Sequence, residues 1–84
     1  MGITAFDDHA PDAPHVTPYD ERHHQTYWRL LDAAEEKADW QEAVRIIFGL
    51  DPAADPDRAQ TVYDSHLARA RWMCERGYRH YLQP

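Results

Sequence analysis

Residues 55–82 read DPDRAQTVYDSHLARARWMCERGYRHYL, and the fold follows from how this stretch is read. Asp55 can accept from the free N–H groups at a helix start, and Pro56 suits the first helical position. No Gly or Pro interrupts the run until Gly77, a residue that readily takes the left-handed conformation ending a helix. The spacing therefore predicts one long helix. At about 100° per residue, Ala59, Val62, Tyr63, His66, Leu67, Ala70, Met73 and Cys74 share one stripe, which must bury. Arg58, Ser65, Arg69, Trp72 and Arg76 fall on the other side and are expected to face outward. Tyr78, Tyr81 and Leu82 are expected to fold back on the core in a short last turn.

Two shorter helices precede it. Thr17-Pro18-Tyr19-Asp20 carries a capping Thr, Pro at the first position and acids in the first turn, predicting a helix over about 18–37. Its stripe is His23, Tyr27, Leu30, Leu31 and Ala34, with Arg22, Arg29, Asp32 and Glu36 on the wet side and Trp28 at the edge. Asp39-Trp40-Gln41-Glu42 has the form of a capping box. It opens a helix over 40–48 that Gly49 closes, with Ala43, Val44, Ile46, Ile47 and Phe48 inward and only Gln41, Glu42 and Arg45 clearly outward. The connection to residue 55 is about six residues, longer than the three or four of a standard helix-turn-helix. Residues 1–16 lack periodicity and read as a disordered or loosely attached tail, with Ile3 and Phe6 as candidates to dock. With no strand signal, the expected fold is all-α: a small extended-turn helix-turn-helix domain over residues 17–84, with three main helices.

An 84-residue chain is one small domain, and a 43% apolar content with three Trp and five Tyr suffices for a core. No apolar run is long enough for a membrane span, and the N-terminus lacks a secretory signal, so a cytoplasmic location is expected. The net charge is −6 and most of it lies early, with five acids and no Lys or Arg in residues 1–21. Such a chain repels phosphate, whereas nucleic-acid affinity rests mostly on neutralising it.

The six histidines nominate no metal site: His23 and His24 diverge by about 100° on a helix, and no third and fourth ligand converge. Cys74, the single cysteine, rules out an internal disulfide and reads as a small apolar residue beside Met73. Asp64, Ser65 and His66 are consecutive on a helix and cannot converge as a catalytic triad, so neither enzyme activity nor a cofactor is expected. At the end of the long helix where a DNA reader would touch bases stand Asp55, Asp57 and Asp64, with Asp51 in the connection. These acids oppose DNA binding. Trp and Arg are enriched at protein hot spots, so Trp28, Trp40 and Trp72 are the candidate partner contacts, with Arg69 and Arg76 as rim charges.

Residues 39–49 (DWQEAVRIIFG), 63–73 (YDSHLARARWM) and 77–79 (GYR) together resemble a proteobacterial family, over roughly residues 19–82. It is the extended-turn helix-turn-helix domain carried on integrative and conjugative elements. Members of that family fused to a partner domain activate element transfer and bind DNA through a basic face. Free-standing acidic members, the QseM-like antiactivators, occupy the activator's partner domain in place of its own copy. The resemblance implies that this acidic, unfused chain is an antiactivator that binds a transcriptional activator and acts as a monomer, without nucleic acid or membrane. The alternative is a small DNA-binding helix-turn-helix regulator.

Overall fold

The computed structural model describes residues 5–76, and every regular element among them is a helix. The order is α1 (Pro18–Arg22), α2 (His24–Glu35), α3 (Trp40–Phe48) and α4 (Pro56–Glu75). The expected turn over residues 78–82 and the stop at Gly77 lie outside the described residues.

Helix starts follow the sequence closely. The Thr17 hydroxyl accepts from the Asp20 amide, while the Asp20 carboxylate accepts from the Thr17 amide at 2.8 Å, closing a capping box. Asp39 caps α3 by accepting from the Gln41 amide. The reciprocal bond expected from Glu42 is absent among the described residues. Asp55 caps α4 by accepting from Arg58 N.

The single helix expected over 18–37 is two. At His23 the backbone leaves helical values (φ −107°, ψ 18°), although Tyr27 N still donates to His23 O at 2.9 Å. The His24 ring Nδ1 lies 2.9 Å from the Glu21 carbonyl, so a side chain enters the helical ladder at the break. At the other end of α2, Lys37 N donates to Ala34 O and Ala38 N to Ala33 O, a Schellman close. That close requires a left-handed residue, and Lys37 supplies it at φ 59°. Gly49 does the same for α3 at φ 69°.

Between α3 and α4 the Asp51 carboxylate accepts from Ala53 N, and its carbonyl accepts from the amides of Ala54 and Asp55. This turn, with Pro52 buried, brings α4 across α2 and α3. The core is made where the three meet: Leu30 from α2, Val44, Ile47 and Phe48 from α3, and Val62, Tyr63 and Leu67 from α4. Tyr27, Ala70 and Met73 extend it along α2 and α4.

Residues 5–16 form no helix or strand, as expected, but they differ from a loose tail in their attachment. Phe6 packs edge-on against Phe48 with ring centroids 4.9 Å apart. Ala10 N donates to the Ser65 hydroxyl, and Arg58 pairs with Asp8 at 2.9 Å. The segment is a strap over α4. It covers polar side chains that the helical wheel leaves outside, and their hydrogen-bonding groups hold it there.

Candidate protein-docking surface

Arg69 was expected to be outward and is not. It is 5% exposed, and its guanidinium pairs with Asp20, itself fully buried, at 2.8 Å. Nε donates to the other Asp20 oxygen at 3.1 Å, Nη1 donates to the Ala13 carbonyl, and Nη2, which holds the Asp20 pair, donates also to the His15 carbonyl. The Tyr27 hydroxyl donates to Asp20 at 2.7 Å. Burial alone would raise the Asp20 carboxyl, but the bonds from Arg69, Thr17 and Tyr27 outweigh it and hold the group below its ordinary range. Burial and the Asp20 charge together push the Tyr27 hydroxyl far up. Arg69 is therefore corrected from a rim charge to an internal tie between α4, the start of α1 and the strap.

Next to it lies a cluster of aromatic and imidazole rings. The His66 Nδ1 sits 2.8 Å from the Val62 carbonyl, which can only accept, so Nδ1 carries the proton and Nε2 accepts from the Tyr19 hydroxyl at 2.7 Å. The Asp7 amide donates to that same hydroxyl. The His23 Nε2 donates to the Ala5 carbonyl, while its Nδ1 is buried without a partner among the described residues. Burial lowers the pKa of both histidines. Among the described residues no three His, Cys, Asp or Glu side chains gather as metal ligands, and no helix is long and apolar enough to cross a membrane.

The nominated partner contacts are not one patch. Trp72 is half-buried beside Tyr27, Ala70 and Met73 and faces the strap across an open cavity, with the Arg69 guanidinium carbon 4.0 Å and that of Arg76 5.8 Å from its ring centroid. Arg76 itself is exposed. Trp40 leans on the core, its ring 6.1 Å from that of Tyr63. Trp28 is exposed on α2. Asp51, Asp55, Asp57 and Asp64 are all exposed, with Asp64 accepting from the Gln60 amide group. No protein-family model and no curated protein matches this chain.

One surface escaped the sequence reading. Ile46, expected to be inward, is 59% exposed. It lies about 100° round α3 from the buried Ile47, and that was the signal in the sequence. Ile46 borders an open groove between α2 and α3, of about 300 Å³, whose apolar lining also includes Ala33, Ala38, Ala43 and Ile47.

Proposed function

We propose that this chain is an antiactivator: it binds a transcriptional activator by protein–protein contact and blocks activation of conjugative-element excision and transfer genes. The observation that carries this is the charge on α4. Arg69 is consumed by the buried Asp20 and Arg58 is paired with Asp8, while Asp55, Asp57 and Asp64 stay exposed on the half of the helix that would meet bases. A helix-turn-helix shape without free bases at its reading end fits a competitor for the activator's docking surface better than a ligand for phosphate. The resemblance of residues 39–49, 63–73 and 77–79 to the extended-turn family supports the same reading.

Affinity capture of the full chain from host cells, after nuclease treatment, tests it. The expected outcome is recovery of a transcriptional activator in stoichiometric amount. Recovery of promoter DNA from untreated lysate, with no regulator bound, contradicts it and favours a small DNA-binding regulator.

A further inference from the structure

Trp28 and Ile46 are the large apolar side chains that stand exposed among the described residues, and they line two depressions that share Asp32. Ile46 flanks the α2–α3 groove, and Trp28 flanks a shallow depression beside it on α2; Asp32 lines both. The groove's floor is apolar, but its rim is acidic: Asp32, Glu36, Asp39 and Glu42 stand against the single base Arg29 among the described residues. Asp32, Glu36 and Glu42 pair with no described base of this chain; the two described ion pairs are Arg58–Asp8 and Arg69–Asp20. An apolar channel with unneutralised acids along it is complementary to a helix with an apolar stripe and basic flanks.

We propose that the α2–α3 groove is the docking site for a Lys/Arg-rich amphipathic helix of the partner protein, with Trp28 and Ile46 as its apolar anchors. This deepens the antiactivator reading, on which it rests for the partner being a protein. Dimensions agree. The nine residues of α3 span about 13 Å, enough to receive side chains at i, i+3 or i+4, and i+7 of a facing helix. Nucleic acid is disfavoured because the rim would meet its phosphates with carboxylates. A second copy of this chain would bring another net −6 to an acidic rim. The Trp72 ring, by contrast, already carries the guanidinium groups of Arg69 and Arg76, and the open cavity of about 560 Å³ beside it has only the single acid Asp12 in its lining.

The test uses the isotope-labelled full chain and two synthetic amphipathic peptides of about 18 residues, with leucine at helical spacing and either lysine and arginine or glutamate elsewhere. The basic peptide is expected to bind saturably and shift the amide signals of Asp32, Ala33, Glu42 and Ile46; the acidic one is expected not to bind. Ile46→Asp and the double variant Glu36→Lys/Glu42→Lys should each weaken binding by about tenfold or more, with helical content unchanged. Trp72→Ala should leave it unchanged. Signal shifts centred on Trp72, unaltered affinity in Ile46→Asp, or self-association of the free chain abolished by Ile46→Asp would each overturn the proposal.

A reporter of activator-driven transcription separates this from the wider reading. Undiminished repression by Ile46→Asp would remove the groove but keep the antiactivator. A chain that docks the basic peptide in the groove yet never represses would do the reverse.

Discussion

Arg69 places a positive charge inside the protein, and four acceptors surround it: both Asp20 oxygens and the carbonyls of Ala13 and His15. Removing one member of a buried pair leaves an uncompensated ion, which costs far more than the pair contributes. Arg69→Ala should therefore cost about 3–5 kcal/mol in urea unfolding. Arg69→Met with Asp20→Asn should cost clearly less than the sum of the single changes, as a double-mutant cycle would show. The buried histidines predict a pH dependence. Their folded pKa values lie below the ordinary value of about 6.5, so as pH falls through that value the unfolded chain takes up protons first and stability drops. Asp20 is held below the ordinary carboxylate value, so its contribution persists at mildly acidic pH and is lost only below about pH 4. The urea midpoint should then fall in two steps on acidification, and His66→Gln should flatten the first. The inward position of Arg69 was partly legible. It sits about 20° from Val62 on the helical wheel, at the edge of the stripe, and only its charge argued for the outside. Asp20 was legible as a cap but not as the buried partner, because a contact 49 residues away leaves no local pattern.

At the scale of elements, both ends of α3 and the start of α4 were readable because caps are local chemistry: Asp39, Gly49, Asp55 and Pro56 act within a few residues of themselves. The break at His23 was not, since it rests on the His24 ring meeting the Glu21 carbonyl and on His23 turning inward to Ala5. Lys37 is the exception among the stops, a residue with a Cβ in the left-handed region where glycine is favoured. Lys37→Gly should raise stability by about 1 kcal/mol in chemical denaturation, with the α2 end unchanged. The strap makes a separate prediction. If Phe6 holds it through Phe48, Phe6→Ala should cost about 2 kcal/mol and expose the amides of residues 5–10 to hydrogen exchange. A loose tail would give no change in either. Ile46 reads as inward but is exposed, because a short apolar helix looks buried all round until its neighbours are known.

For the molecule as a whole, charge placement matters more than shape. The helices α3 and α4 cross a capped, extended turn as in a DNA-binding module, but the bases that would serve phosphate are few and partly internalised. The all-α architecture was plain from periodicity and capping. The α2–α3 groove proposed to receive a partner was not, because it is shared between the two helices and emerges only when they pack. The proposed function requires this helix-turn-helix shape to work through protein contact and not to read DNA. The most direct measurement is a titration of fluorescent promoter duplex with the full chain at low salt, followed by anisotropy. No binding is expected up to tens of micromolar protein at about 50 mM salt, where phosphate contacts are strongest. Sub-micromolar binding that weakens steeply as salt rises would contradict it.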